Sequence, residues 1–226
     1  MKAWFCALLT VCSALALAPA ARGQTLLFDY VGFDFENPDP SPGSFGETGS
    51  GYQGVGLVPN LFAPLVFNTA TQEYTYHFSG LTPVGTTVVG HFVIIEYSSP
   101  GLLDLYEDSK TTGTPGTYGT NPPNATAPPS FTDGTLILSG RLTNFRFVLN
   151  TTNQSGSFES EFEAIGGSQI ENIAPNRRTG WTFAGATGNS TGIPLGYAHQ
   201  IDGQTFLQEP VRGQTASWGR VKSLYR

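Results

Sequence analysis

Three glutamates, Glu159, Glu161 and Glu163, stand at alternate positions in the run Glu159-Ser160-Glu161-Phe162-Glu163. On an extended chain, period-two alternation puts their carboxylates on one face, with Ser160 and Phe162 on the other. Carboxylates placed so closely suit glycoside cleavage: one attacks while the other, its pKa raised by its neighbour, donates the proton. The same letters also describe a solvent-facing acidic stripe on an antiparallel strand. A second set is aromatic. Tyr106, Tyr118, Trp181 and Tyr197 lie near turns or strand ends beside Thr and Asn residues. Rings there can stack on sugar rings while hydroxyl and amide neighbours hydrogen-bond the sugar, and the competing use of the same rings is to fill a core. A third set is at the C-terminus. Trp218, Val221 and Tyr225 recur at steps of three and four residues, with Leu224 beside them, so a helical turn would show one apolar face flanked by Arg220, Lys222 and Arg226, a docking surface.

The glutamate run is similar in spacing to the Glu-x-Asp-x-Glu strand of laminarinase-like β-glucanases, which are jelly rolls. The resemblance implies that Glu159 and Glu163 act as nucleophile and acid/base, with Glu161 orienting or tuning them. It covers five residues of 226, the middle acid is Glu161 rather than Asp, and the flanks Ser157-Phe158 and Ala164-Ile165 differ from the family's aromatic surroundings. The basic end of the chain is similar to that of bacterial exoproteins carrying a Pro-Glu-Pro sorting signal, although Glu209-Pro210 is followed by no apolar span.

Other chemistries find less footing. His77, His91 and His199 are widely separated, and a zinc site would need them to converge with a carboxylate. His77 and His91 are expected to approach only across a hairpin. Asp29, Asp34, Glu36 and Asp39 match no calcium-loop spacing. The glycines of Gly49-Ser50-Gly51-Tyr52-Gln53-Gly54 have dinucleotide-turn spacing without the strand before or the helix after. The sequence therefore calls for no metal and no cofactor.

The elements that must position these residues read as strands. Gly (28) and Pro (16) are abundant among 226 residues, and charged residues make up 12%, about half the usual share. Apolar and aromatic runs alternate with turn clusters at residues 25–35, 61–67, 72–79, 86–97, 134–140, 141–150, 157–165, 181–184 and 197–207. Residues 81–85 read as a hairpin loop, residues 106–130 as a long Gly/Pro-rich surface loop, and residues 151–156 as a turn within a meander. This predicts an all-β fold, an antiparallel β-sandwich of jelly-roll type with long Gly/Pro-rich loops.

Residues 1–23 read as a signal peptide: Lys2, an apolar centre, then small residues. Cleavage there would remove Cys6 and Cys12, predicting a cysteine-free mature chain, followed by a single domain over 24–207 and a linker with a basic, aromatic tail over 208–226. Removing Lys2 and Arg22 from the 11 Lys+Arg leaves 9 against 17 Asp+Glu, a net charge of −8. An acidic body without clustered bases excludes a nucleic-acid partner. Asn124, Asn150, Asn153 and Asn189 each begin an Asn-x-Ser/Thr acceptor. The functional expectation is a secreted or surface-associated, non-catalytic protein, structural or glycan-binding, whose partner is an extracellular glycan or a cell-envelope component and whose mature chain has no transmembrane span. The alternatives are a retaining β-glycan hydrolase using Glu159 and Glu163, and an envelope protein docked through its tail.

Overall fold

On the strand Gln72–Leu81, Tyr74, Tyr76 and Phe78 point inward and are buried, as their alternation predicts, while His77 is only half-buried. The computed structural model describes residues 24–37, 46–119, 128–189 and 192–208. Its strands are β1 (Gln24–Asn37), β2 (Gly51–Leu61), β3 (Gln72–Leu81), β4 (Pro83–Val89), β5 (Phe92–Tyr97), β6 (Gly101–Ser109), β7 (Thr135–Asn150), β8 (Ser155–Gly166), β9 (Trp181–Gly188) and β10 (His199–Gln208). They pair in the order β4-β5-β7-β6-β3-β2-β1-β10-β9-β8, and β8 pairs again with β7. That last pairing closes eight strands into an antiparallel barrel, with the β4–β5 hairpin added outside β7.

The sandwich and jelly-roll expectation is therefore corrected to a closed barrel. Inward and outward residues alternate along a strand in both architectures, so alternation could not separate them. Closure depends on two pairings. β7 and β8 join along most of their length, from Ser139↔Gly166 to Asn150↔Ser155, and β1 lies beside β10, far away in sequence.

Rings fill the interior. Tyr30, Tyr52, Tyr76, Phe78, Phe145, Phe147, Phe158 and Phe183 are all within 3% of complete burial. Tyr30 stacks on Phe183 at 4.8 Å between centroids, and Tyr76 meets Tyr30 edge-on at 5.1 Å. Burying each ring stabilises the fold by about 1.5–3 kcal/mol. An eight-stranded barrel has room for side chains only if large and small alternate. Gly32 and Gly56 face one another across β1 and β2, where a Cβ on either would strike backbone and crowd Tyr76. Gly203 likewise makes way for the Tyr30 hydroxyl, which donates to Ala184 O at 2.8 Å. This is why the glycine-rich run of β2, to which the sequence reading gave no strand, is a barrel strand.

Four further boundaries differ from expectation. Residues 86–97 are two strands, broken at Gly90 (φ +60°) and His91, and β4 follows β3 almost directly. Residues 101–109 form β6, inserted between β3 and β7. Residues 134–140 and 141–150 belong to one long strand, β7, whose bulge between Thr143 and Arg146 includes Asn144 at φ 56°. At that bulge one edge of β7 changes partner, from β6 to β5. Of residues 61–67, expected as one strand, Leu61 ends β2 and residues 62–67 form a loop.

Apart from the cluster around Asp34, Glu36 and His199, the barrel interior is mainly apolar and aromatic, while outside it carries Asp29, Gln53, Arg141, Glu159, Glu161, Asp202 and Gln204, the reverse of the arrangement in barrels that span bilayers. No helix among the described residues is long and apolar enough to cross a membrane. The expectation of a cysteine-free chain is also corrected: the chain carries Cys6 and Cys12, which lie outside the described residues. Thr25–Gln208 forms one compact unit.

Candidate functional site

Two polar constellations stand out, one inside the barrel and one on its outer wall. The inner one lies where the last turn of β1 meets the first residues of β2 and β10. Alternation sends Asp34 and Glu36 inward from β1, Tyr52 from β2 and His199 from β10, and all four are buried. Asp34 accepts hydrogen bonds from the Tyr52 hydroxyl at 2.9 Å and from the His199 backbone N–H at 2.6 Å, and both its oxygens lie 3.2 Å from His199 Nδ1. The Asp34 carbonyl also accepts from the Ala198 N–H at 2.8 Å. A single carboxylate thus ties β10 to β1, the seam that closes the barrel. Glu36 Oε1 accepts from the Gly46 N–H at 2.9 Å, anchoring the segment ahead of β2.

Burial sets the charges in this cluster. Desolvation pushes the Glu36 carboxyl up to about 7, the Gly46 N–H opposes the rise, and Asp34 and Glu47 reinforce it. Burial pulls His199 down, but Asp34, through charge and hydrogen bond, and Glu36 hold it above its ordinary value. The Tyr52 and Tyr97 hydroxyls are held well above the usual phenol range, first by burial and then by the nearby carboxylates. Glu36 Oε2 and the Tyr97 hydroxyl are buried without a hydrogen-bond partner among the described residues. The cluster can hold a proton near neutral pH, and its members clamp strands together.

The outer constellation is a groove of about 570 Å³ across β7, β8, β9 and β10. Register explains it. Arg146 pairs with Glu159, Glu159 with Ala184, and Ala184 with Gln204, so one transverse row has a methyl group at its centre between long polar side chains. The next row runs Val148, Ser157, Ala186 and Asp202, again with an alanine between longer neighbours. Phe206 adds an apolar, half-buried ring to the wall. Arg146 is held by Glu96 at 3.3 Å, and Gln204 Nε2 donates to Asp29 at 2.9 Å. The groove therefore offers acids, an amide, a guanidinium and a hydroxyl above a small apolar floor.

Of the sequence-predicted acids, Glu159 lines this groove. Glu161 lies farther along the outer face of β8, opposite Thr143, and Glu163 pairs with Arg141 at 3.6 Å. The predicted aromatics divide. Trp181 is completely buried, packed on Phe162 at 5.2 Å, and its Nε1 donates to Arg177 O at 2.6 Å. Tyr106 sits half-buried on β6, away from the groove. Tyr118 and Tyr197 do come together: the Tyr197 hydroxyl donates to Tyr118 O at 3.0 Å, and both pack with Phe33, Phe35 and Phe131 in a small second core outside β1 and β2. The described parts of the long loop join that core, with Gly116 N–H donating to Glu73 and Thr75 donating to Phe131 O.

His77 bonds Gln53 at 3.1 Å on the outer wall, His91 is at the β4–β5 turn, and His199 is inside, so the three do not converge. Trp218, Val221, Leu224 and Tyr225 lie outside the described residues. Sequence reading missed Arg146, Asp202, Gln204 and Phe206. The alternation of β10, polar at 200, 202 and 204, was the available signal, but their meeting with β7 and β8 follows only from closure.

The fold and its sites define a closed, side-chain-filled antiparallel β-barrel with a polar groove on its outer wall. No family model, curated protein or solved structure matches the chain.

Proposed function

We propose that the protein is a non-catalytic binding barrel, secreted or held at the cell surface, that takes a hydroxyl-rich glycan in the outer groove. The observation carrying this reading is the groove itself: an apolar floor at Ala184 and Val148, a ring at Phe206, and hydrogen-bonding groups of both polarities at Arg146, Ser157, Glu159, Asp202 and Gln204. That mixture suits a ligand with an apolar ring face and many hydroxyls. Because Glu96 engages Arg146 and Asp29 engages Gln204, these two groove groups are held in place before a ligand arrives, which lowers the ordering cost of binding.

The test is a glycan-array and hydrolysis screen on wild type beside Glu159→Gln and Phe206→Ala. Glycan capture without turnover, weakened about tenfold or more in both variants, is the expected result. Hydrolysis abolished by Glu159→Gln would replace this reading with the glycosidase. Silence across the panel would remove the glycan.

A further inference from the structure

Closing the barrel leaves a single open edge among the described strands. Among the described strands, β4 alone has a neighbour on a single side, because β8 returns to β7. An exposed edge leaves a row of backbone N–H and C=O groups able to pair with another extended chain, and proteins ordinarily blunt such edges with charge, coverage or brevity. β4 has none of the usual charges. Residues 80–95 contain no Asp, Glu, Lys or Arg. After Pro83 every residue of β4 is exposed, with Val84, Val88 and Val89 at 65%, 68% and 58% and Phe92 across the turn at 47%. Thr86, Thr87, Val88 and Val89 are β-branched, the residues that pack best across a strand pair.

We infer that β4 is a self-association edge: two copies of this chain pair β4 with β4 antiparallel about a two-fold axis near Thr87, extending the hairpins into one continuous sheet. Charge selects a second copy. The chain is net −6, so two copies repel over most of their surfaces and approach most easily where neither carries charge. A basic or acidic partner would find nothing on this edge to pair with. Thr86 of one copy faces Val88 of the other on either side of the axis, giving matched β-branched pairs. An interface of one strand belongs to the small, reversible class, below about 1,200 Å², so association is concentration-dependent.

The test is sedimentation velocity of the full-length chain from about 5 to about 500 µM, with Val88→Lys and Thr87→Lys alongside. Wild type is expected to shift from monomer to dimer over this range, more readily as salt rises and screens the acidic bodies. Both lysine variants are expected to keep the wild-type circular dichroism and melting curve and to weaken association at least about tenfold. A wild type that stays monomeric throughout, or lysine variants that dimerise with an unchanged constant, would overturn the inference.

Discussion

Asp34 and Asp202 sit on neighbouring strands of the same barrel wall, one turned inward and one outward, and they do opposite work. Inside, Asp34 is wholly buried and holds Tyr52 and His199 against itself, so its charge fastens β1 to β10. Outside, Asp202 is exposed and lines a groove open to ligand. The same difference separates Glu36, whose carboxyl burial lifts to about 7, from Glu159, exposed on β8 and able to offer its charge to a ligand. Which side of the pleat a carboxylate occupies decides whether it stabilises the fold or serves recognition.

The comparison breaks first at Asp34. Asp34→Ala leaves His199 and Tyr52 buried without their shared acceptor, and we expect a loss of about 3–5 kcal/mol in urea unfolding. A loss under about 1 kcal/mol would mean that the seam does not depend on this carboxylate.

Next comes pH. Glu36 has a folded pKa of about 7 against an ordinary 4.5. A raised acid favours its protonated form in the fold, so its contribution is fully present below pH 4.5 and is lost as pH rises through about 7. The difference corresponds to about 3 kcal/mol. His199 acts in the same direction: its folded pKa is raised, so its contribution is present below 6.5 and is lost as pH climbs through the higher folded value. Stability should therefore fall between pH 5 and pH 8, and Glu36→Gln, which keeps an acceptor for Gly46, should remove much of that fall. Equal slopes in wild type and variant would show that Glu36 titrates as it does in water.

The smallest effect sharpens the other half. Arg141→Ala breaks the exposed pair with Glu163, in which both side chains are about half accessible (50% and 44%), and should change stability by less than about 0.5 kcal/mol. Glu159→Gln should be equally mild in chemical denaturation while weakening ligand. Destabilisation beyond about 1 kcal/mol by either would make the outer face structural rather than receptive.

Much of the fold was legible locally. Tyr74, Tyr76 and Phe78 on one face of β3, and Phe158, Ser160 and Phe162 opposite the three glutamates on β8, follow from period two alone. The turn at residues 151–154 and the strands around Trp181 and Ile201 were readable for the same reason. β2 was not, because its glycines resemble a turn until the rings they accommodate are known. β6 was not read as a strand from its short apolar run, Leu102, Leu103 and Leu105, and its place between β3 and β7 depends on a distant pairing. Half of the groove was visible as Glu159; the other half was not, since Asp202 and Gln204 lie more than forty residues away in the chain.

By itself the sequence determined most of the strands, the faces they present and the acidity of the body, because side-chain direction on an extended chain repeats every two residues and charge is additive. Tertiary structure decided that the sheet closes on itself, that Asp34 meets His199, that Glu159 meets Asp202 across a groove, and that β4, alone among the described strands, keeps an open edge. Those outcomes depend on which distant strands exchange backbone hydrogen bonds, and no local pattern of residues specifies that choice.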